Sequence, residues 1–268
     1  MRLPRARGTA AFLAAWMVPW KPVFRTRTAQ GLTFFAHRRD VSGRHIAKYG
    51  EREPDMTRWI AKQLAASPPG LFVDVGANIG WHSVHAAASP NVKAVVAFEP
   101  DPFNLHLLDR NLSANRADNV VIVAAALGER RGVVRLHRYK MSNSGRHSTL
   151  ADYGLGSRSV PMLDLDGALS DLGFASTPVS VLKIDVEGGE PAVIKGAERT
   201  LTRTTAIVLE FSPPLSRAGS LSTDSLLDQL EGAGFAPFRI LAGGALAPLE
   251  TAALKRFNGQ TDLVFMKR

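Results

Sequence analysis

The sequence predicts a doubly wound α/β fold with a mainly parallel sheet, preceded by a basic N-terminal extension. From residue 55 onward, apolar strands alternate with helical segments, which is the order of βαβ units. The first strand runs into a Gly-rich turn, FVDVGANIG at residues 72–80, and the second strand ends in Glu99. Glycine lets the backbone approach a ligand, and an acid accepts hydrogen bonds from ribose hydroxyls. Together these features indicate a Rossmann-type site for an adenosine-bearing ligand.

The elements of the first half are marked by apolar runs and by the turn residues that end them. The opening helix, at residues 56–66, leads into Pro-Pro-Gly, and the first crossover helix ends at Ser-Pro. The predicted order after the opening helix is strand 71–75, helix 80–88, strand 93–98, helix 102–114 and strand 119–124.

The alternation breaks after the third strand and then resumes. The insertion comprises an extra strand at 132–139, a polar Ser- and Gly-rich loop at 141–156, an extended segment at 160–163 and a helix at 165–172. Long loops inside a compact domain are usually functional, so we expect this insertion to lie over the substrate. The main sheet resumes with strand 179–186, helix 189–201, strand 205–211, helix 223–232 and strands 235–240 and 261–266.

The basic charge is concentrated in the extension, which we place at residues 1–54, ahead of an α/β domain at residues 55–268. The chain carries 33 Lys and Arg against 24 Asp and Glu, a net charge of +9. Residues 1–48 hold ten of these basic residues and a single acid, Asp40, so the remainder is neutral. A basic arm indicates an anionic partner, such as membrane lipid, nucleic acid or an acidic protein surface, or else a solvated terminus.

An apolar run at residues 9–20 follows three arginines at the start of the chain. It is too short to span a bilayer, which takes roughly 20 apolar residues. No small-residue cleavage site follows it, so we predict an amphipathic helix packed on the domain or lying on a membrane. We therefore expect a cytoplasmic protein whose arm contacts a membrane surface or an acidic partner. The chain has no cysteine, which excludes disulfides and thiolate chemistry.

Acidic side chains follow four of the five core strands. They are, in chain order, Asp74, Glu99, Asp185 with Glu187, and Glu210. The carboxyl ends of parallel strands meet at one edge of the sheet, where ligands of open α/β sheets bind. Carboxylates gathered there repel one another unless a cation or several hydroxyl donors lie among them. The pattern favours a ligand with both a ribose and a positive charge, as a sulfonium compound has.

The Gly-rich turn separates two classes of adenosine cofactor. A nicotinamide dinucleotide site has the spacing Gly-x-Gly-x-x-Gly, with the pyrophosphate against the helix N-terminus. Here Asn78 occupies the position of the second glycine, and Asp74 precedes the first, Gly76. A side chain at Asn78 suits a ligand without phosphate, and the acid suits an amino-acid tail with a free ammonium. An NAD-dependent dehydrogenase is therefore the weaker alternative.

The segment LKIDVEGGE at residues 182–190 is the second concentration of charge. Three acids and Lys183 surround the end of a buried strand, where charges without a use are costly. An acid that complements a helix dipole accounts for Glu190 but not for Asp185. We therefore predict a functional role for Asp185.

Taken together, these segments resemble the FkbM family of methyltransferases. The resemblance covers residues 55–211 and depends on an ordered combination of motifs: VDVGANIG (73–80), FEPDP (98–102), AALG (125–128), LKIDVEGGE (182–190) and VIKG (193–196). It implies a class I, S-adenosylmethionine-dependent methyltransferase with a Rossmann-like sheet of seven strands, the last antiparallel. It also implies methylation of a hydroxyl oxygen on a sugar, a natural product or another small metabolite.

The resemblance also implies roles for individual residues. The cofactor-binding turn closes at Gly80, and within it Asp74, Gly76 and Asn78 would hold the methionine end of the cofactor. Glu99 would bind the ribose. Ala125 and its neighbours would line the adenine, with backbone groups as their only polar contacts.

A hydroxyl acceptor must lose its proton during methyl transfer, which calls for a general base. Asp185 is our first choice by location, and His147, in the loop segment SNSGRHST, is the second. Glu187, our third catalytic residue, and Glu210 are expected to bind substrate hydroxyls or a divalent cation. No metal-ligand spacing is diagnostic, so we predict no metal site. His82, just after the turn, is expected to face the core or solvent, with the cofactor as the weaker alternative.

Two further functional classes are compatible with the sequence. One is an RNA methyltransferase or nucleic-acid-binding protein that uses the basic arm. It is disfavoured by the neutral folded part and by the lack of interleaved aromatic and basic residues, so nucleic acid is not the partner we expect. The other is a membrane-apposed enzyme that acts on a lipid-linked or glycan acceptor, with the arm as its tether.

Overall fold

The computed structural model describes residues 9, 10, 13 and 22–268, apart from the side chains of residues 141 and 144. The helix predicted over residues 9–20 therefore lies largely outside the described residues. The strands are β1 (Val23–Arg27), β2 (Thr33–His37), β3 (Gly70–Val75), β4 (Val92–Phe98), β5 (Val120–Val123), β6 (Ala126–Leu127), β7 (Gly132–His137), β8 (Ser157–Leu163), β9 (Val179–Ile184), β10 (Thr204–Phe211), β11 (Phe235–Ile240), β12 (Leu246–Pro248) and β13 (Thr261–Lys267). The α-helices are α1 (Val41–Tyr49), α2 (Pro54–Ala66), α3 (Trp81–Ala87), α4 (Pro102–Ala114), α5 (Leu165–Asp171), α6 (Glu190–Lys195), α7 (Glu198–Thr202), α8 (Pro213–Ser216), α9 (Thr223–Gly232) and α10 (Thr251–Lys255).

The central sheet has eight strands in the order β12-β11-β13-β10-β9-β3-β4-β5. Strands β10, β9, β3, β4 and β5 are parallel, and β13 lies antiparallel between β10 and β11. This confirms the predicted doubly wound sheet with an antiparallel last strand. Seven of the strands are those that the sequence predicts; the eighth, β12, is a three-residue edge strand that we did not predict.

Both faces of the central strand β3 are covered, because all of its residues are buried. Val73 packs on one face in a cluster that includes Ile194 of α6. Phe72 packs on the other face in a cluster with Trp59 of α2. A strand buried on both faces is a near-continuous apolar run, as the sequence of β3 is.

Part of the N-terminal extension is folded onto the domain. Strands β1 and β2 form an antiparallel hairpin, and Phe34 of β2 packs in one cluster with Trp81 of α3 and Leu108 of α4. The open edge of β2 is satisfied by two amide side chains, one in α4 and one directly after it. The Phe35 N–H donates to Asn111 Oδ1 at 2.6 Å, and the Asn115 amide donates to the Thr33 carbonyl at 2.7 Å. The division of the chain at residue 54 stays a prediction.

The insertion after β5 forms a small sheet of its own, in the order β6-β8-β7. The polar loop predicted at residues 141–156 contains a 3₁₀ segment, Met141–Arg146. Ser148, which follows it, is fully buried and donates from its hydroxyl to the Glu187 carbonyl at 2.9 Å. This bond anchors the loop beside the end of β9.

The single helix predicted at residues 189–201 is wrong. The chain forms two short helices instead, α6 and α7, separated at Gly196 and Ala197. Gly196 packs so closely on the backbone of Gly128 that a Cβ would lie 2.1 Å from the Gly128 carbonyl oxygen. This tertiary contact breaks a segment whose local pattern is helical throughout.

None of the helices in the described part of the chain has the length and the apolar content that a membrane span requires.

Candidate functional site

The carboxyl ends of β3, β4, β9 and β10 open into one cavity of about 560 Å³, a volume typical of small-molecule sites. Its other walls come from α1, residues 52–54, residues 125–127, the start of β13, and Leu136 and residues 143–149 of the insertion. Most of the predicted site residues line it: Gly76, Asn78, Glu99, Ala125, His147, Asp185, Glu187 and Glu210. The structure thus brings these residues together, whereas Asp74 and Gly80 lie outside the lining.

The turn after β3 depends on two left-handed glycines. Gly76, with φ of 76°, sits against the end of β9, where a Cβ would lie 1.9 Å from the Asp185 carbonyl oxygen. Gly80, with φ of 84°, packs on Leu108, so it shapes the turn without contacting the cavity. Asn78 is also left-handed, with φ of 53°, and its buried side-chain oxygen Oδ1 has no hydrogen-bond partner among the described residues. A polar ligand in the cavity would satisfy that oxygen.

Glu99 ends β4 and is held by backbone donors. The Asn78 N–H donates to Oε2 at 2.8 Å, and the Asp101 N–H donates to Oε1 at 2.9 Å. Burial raises the pKa of Glu99 to about 7, and the two N–H groups oppose that rise. The carboxylate is therefore fixed in position at the edge of the sheet, as an acceptor for two adjacent hydroxyls must be.

An apolar wall follows Glu99 along the cavity. It is built by Ala125, Ala126 and Leu127 together with Leu136 of the insertion. Such a wall fits a flat heteroaromatic base, which needs little more than apolar contact and backbone hydrogen bonds.

Asp74 is fully buried behind the turn rather than in the cavity. Its Oδ1 lies 3.2 Å from Lys183 Nζ, and its Oδ2 accepts from the Ser83 hydroxyl at 2.6 Å. Lys183 also donates to the Gly76 carbonyl at 2.8 Å and lies 3.6 Å from Asp185 Oδ2. Burial alone would lower the pKa of Lys183, but Asp74 and Asp185 outweigh it and raise that pKa above its usual value. Asp74 and Lys183 therefore brace the turn and Asp185 from behind.

Three carboxylates meet at the ends of β9 and β10, which lie on the other side of β3 from β4 and β5. Oxygens of Asp185, Glu187 and Glu210 all lie within 4.8 Å of one another. Burial, and then the charge of Asp185, raise the pKa of Glu187 to about 7 and that of Glu210 to about 10. Arg146 Nε lies 3.5 Å from Glu187 Oε2. Carboxylates this close hold a shared proton or a cation, since their charges otherwise repel. The prediction of no metal site stays a prediction.

Replacing the titratable carboxyl group of Glu210 with an amide should stabilise the protein increasingly as the pH rises. The folded chain keeps a proton on Glu210 up to a pKa of about 10, whereas the unfolded chain releases it near 4.5. The folded state therefore binds more protons in this window, so the parent chain loses stability with rising pH. We expect the Tm of Glu210→Gln to exceed that of the parent by a margin that grows between about pH 5 and pH 8. Glu231→Gln, at an exposed position of α9, is the matched control and should show no growing margin.

His147 lines the cavity, and one of its two ring nitrogens already has a partner. Nδ1 accepts from the Tyr139 N–H at 2.9 Å, so the neutral ring carries its proton on Nε2. Burial lowers the pKa of His147, which keeps the ring neutral. In this state His147 is a hydrogen-bond donor to a ligand rather than a proton acceptor.

His82 faces the core, one of the two positions that we expected for it. Sequence reasoning missed four other residues near the site: Arg52, Glu53, Gln260 and Asp262. The first two precede α2, in the basic extension. The other two flank the start of β13. The sequence predicts this strand, but nothing in the sequence indicates that its start lies at the cavity.

The cavity suits a cationic adenosine ligand. Its lining contains six carboxylates against two arginines, Arg52 and Arg146. The unpartnered Asn78 oxygen offers a polar contact. The fixed Glu99 carboxylate suits the hydroxyls of a ribose, and the apolar wall suits a base. The residues present therefore fit S-adenosylmethionine, for which Glu99 would hold the ribose and the apolar wall would hold the adenine.

Two characterised proteins are similar to the chain. It is 26% identical to the 2-O-methyltransferase NoeI of Sinorhizobium fredii over 68% of this chain and 80% of that protein. It is 29% identical to the hexuronic acid methyltransferase AglP of Haloferax volcanii over 59% of this chain and 62% of that protein. Among solved structures, an FkbM methyltransferase from Methylobacillus flagellatus aligns with a TM-score of 0.44 and 17% identity, over 74% of this chain and 43% of that one.

The family comparison covers the site as well as the fold. Residues 74–237 match the methyltransferase FkbM domain. This range begins in β3, ends in β11 and includes the turn, Glu99, the insertion and the three carboxylates. The chain is accordingly an S-adenosylmethionine-dependent methyltransferase, and it belongs to the FkbM family.

Proposed function

We propose that the protein methylates a hydroxyl oxygen of a sugar. The observation that carries this proposal is the group of three carboxylates, Asp185, Glu187 and Glu210, which line the cavity at the ends of β9 and β10. Carboxylates accept hydrogen bonds from neighbouring hydroxyls, which a sugar ring presents in fixed directions. The two relatives support a sugar acceptor, since the name of one specifies 2-O-methylation and that of the other a hexuronic acid.

The residues divide the work of the reaction between them. Bound S-adenosylmethionine supplies an electrophilic methyl group on its sulfonium. Asp185 lines the cavity at the end of β9, where it orients the acceptor hydroxyl and accepts its proton. Glu187, whose pKa near 7 matches neutral pH, passes that proton on or replaces Asp185 as the base. His147 donates from Nε2 to a second oxygen of the acceptor.

A screen for methyl transfer tests the acceptor class. The full-length chain is incubated with radiolabelled S-adenosylmethionine and a panel of monosaccharides, uronic acids, oligosaccharides, hydroxylated natural products and structured RNA. The proposal expects label in at least one carbohydrate, with the methyl group on oxygen by NMR. Label in RNA alone, or in non-carbohydrate metabolites alone, would reject a sugar as the methyl acceptor.

An RNA acceptor fits the cavity poorly. Nucleic acids carry a phosphate at every step, and proteins bind them by neutralising those charges with Lys and Arg. The carboxyl groups that line this cavity outnumber its arginines by six to two, so the cavity offers few of the cationic side chains that bind phosphates. The basic charge of the described residues lies instead on the hairpin and α1.

We further propose that this basic face contacts anionic lipid. Arg25, Arg39, Arg44 and Lys48 are all exposed on the hairpin, the loop after it and α1. They continue the basic and apolar sequence of residues 1–21. A polybasic segment is attracted to an anionic bilayer by about 1 kcal/mol per residue near the surface.

Charge removal from this face should release the protein from vesicles. The full chain is sedimented with vesicles of phosphatidylglycerol and phosphatidylcholine, at low and at physiological salt. We expect Arg25→Gln/Arg44→Gln to lower the bound fraction severalfold. Arg130→Gln/Arg135→Gln, with the same loss of charge in the insertion, should bind like the parent. Equal binding by both double variants, or equal binding to neutral vesicles, would count against a lipid contact.

A further inference from the structure

A small void lies beside the main cavity, beneath the Gly76 turn. Five residues line both spaces: Arg52, Glu53, Gly76, Asn78 and Asp185. The walls of the void include neither Glu99 nor the apolar wall. A ligand with its adenosine at Glu99 would therefore direct its other end past the turn, toward Arg52 and Glu53.

Arg52 and Glu53 form a charged pair at this place. Arg52 donates from Nε to Glu53 Oε1 at 2.8 Å, and its Nη2 lies 2.7 Å from the same oxygen. His82 Nε2 lies 2.8 Å from the second oxygen, Oε2. Burial alone would raise the pKa of Glu53, but Arg52 and His82 outweigh it and hold that pKa far below its usual value. The site thus presents a full positive and a full negative charge side by side.

Both side chains remain available to a ligand. The Arg52 side chain is 22% exposed and that of Glu53 is 29% exposed, while His82 behind them is buried. An ion pair with a purely structural role gains nothing from surface exposed toward a cavity. Arg52 and Glu53 have such exposed surface, and they line both the cavity and the void.

The backbone at Glu53 is strained. Its φ of 43° is left-handed, an uncommon conformation for a residue with a side chain, and no capping hydrogen bond from that side chain accounts for it. Among the described residues four non-glycines have a positive φ, and three of them, Glu53, Asn78 and Glu187, line the cavity. Strain of this kind persists where the surrounding structure enforces a functional geometry.

We propose that Arg52 and Glu53 bind the amino-acid end of S-adenosylmethionine. That end is a zwitterion: its carboxylate matches the Arg52 guanidinium, and its ammonium matches the Glu53 carboxylate. Both residues lie in the N-terminal extension and outside the range of the family match. The inference rests on the proposed cofactor site, and it makes the extension part of that site.

Two ligands that differ in the amino-acid end alone provide the test. S-adenosylhomocysteine has this end, whereas 5′-methylthioadenosine keeps the adenosine and the sulfur but lacks it. Calorimetry measures the affinity of the full chain for each ligand, without any acceptor. We expect Arg52→Met and Glu53→Gln each to weaken S-adenosylhomocysteine by about 10- to 100-fold and 5′-methylthioadenosine by less than about twofold.

The matched control is Arg58→Met. Arg58 is a neighbouring arginine of α2 that pairs with Asp55 and Glu51 and does not line the cavity. It should leave both affinities unchanged, and thermal unfolding verifies that each variant is folded. If Arg52→Met does not fold, Arg52→Lys replaces it. This variant should lose less affinity for S-adenosylhomocysteine, and its affinity for 5′-methylthioadenosine should again stay nearly unchanged. Equal losses for both ligands, or none for S-adenosylhomocysteine, would overturn the proposal. A parent chain that binds neither ligand would instead reject the cofactor site itself.

Discussion

The Asp185→Asn variant is expected to lose about 10²- to 10⁴-fold in turnover, while its affinity for S-adenosylhomocysteine stays within about threefold of the parent's. Asparagine keeps the shape of the side chain but cannot accept the acceptor's proton. The Asp185 backbone, which packs on Gly76, is untouched, so the turn proposed to hold the cofactor is preserved. A large loss in rate with little loss in affinity is the signature of a group that acts in the transition state.

Turnover is measured with radiolabelled S-adenosylmethionine on whichever acceptor the screen identifies, and affinity by calorimetry. Asp109→Asn, at an exposed position of α4, serves as the control and should match the parent in both. Equal loss of turnover and affinity in Asp185→Asn would make Asp185 a cofactor ligand instead.

A pH profile separates Asp185 from Glu187 as the base. The base must be deprotonated, so turnover rises as the pH passes upward through its pKa. Burial and the Asp185 charge raise the pKa of Glu187 to about 7. A rise in turnover centred near pH 7 that disappears in Glu187→Gln would therefore assign the proton transfer to Glu187.

The part of the fold that local signals encode was predictable. Helix α4 begins and ends as expected, because Asp101 caps it and a proline occupies its first position. Helix α9 likewise begins after a capping residue, Ser222, whose side chain accepts from the Ser225 N–H. Glu99, Asp185, Glu187 and Glu210 reach one cavity because parallel strands deliver their carboxyl ends to one edge, which is a rule of topology that needs no coordinates.

The hairpin and α1 were not predicted, because their charges suggested a solvated arm. Phe24 and Thr26 of β1 are buried while Arg25 and Arg27 are exposed, so a period-two pattern was present among the arginines. What makes the hairpin stable is remote in sequence. The amides of Asn111 and, beside it, Asn115 complete the edge of β2. No local pattern could connect residues 76 positions apart.

The same limit applies to the cavity. Arg52 and Glu53 join it because they immediately precede α2, which packs on the sheet beside β9. Asp74 leaves it because Lys183, two positions before Asp185, captures its carboxylate from a neighbouring strand. Both outcomes depend on which strands are neighbours, and the sequence alone does not state which side chains pair between them.

The second large effect is expected from Lys183. Replacing it with methionine leaves Asp74 buried without its counter-charge, and breaking a buried ion pair in this way costs about 3–5 kcal/mol. In a chain of this length such a loss lowers Tm by roughly 6–20 °C. Asp74→Asn should have a comparable effect, since it leaves Lys183 buried with Asp185 as the remaining carboxylate within reach. Unfolding by denaturant and by heat measures both.

The double variant Asp74→Asn/Lys183→Met distinguishes a coupled pair from two independent core residues. We expect it to lose clearly less stability than the sum of the single variants, because neither partner is then left charged and alone. Lys195→Met, which breaks the exposed pair with Glu198, should change stability little. Additive losses in the double variant would contradict the pairing.

Cofactor binding gives the pair its functional test. Sequence reasoning assigned Asp74 to the methionine end of the cofactor, whereas the structure places it behind the turn, where it acts through Lys183 on the Gly76 carbonyl. If this is its route, Asp74→Asn and Lys183→Met should weaken S-adenosylhomocysteine and 5′-methylthioadenosine together, because a displaced turn no longer supports Asn78 and Glu99. Loss of the first ligand alone would restore Asp74 as a direct contact of the amino-acid end. The two ligands therefore distinguish a residue that supports the turn from one that contacts the amino-acid end. At Asp74 we expect weaker binding of both ligands, whereas at Arg52 and Glu53 we expect weaker binding of S-adenosylhomocysteine with 5′-methylthioadenosine nearly unchanged.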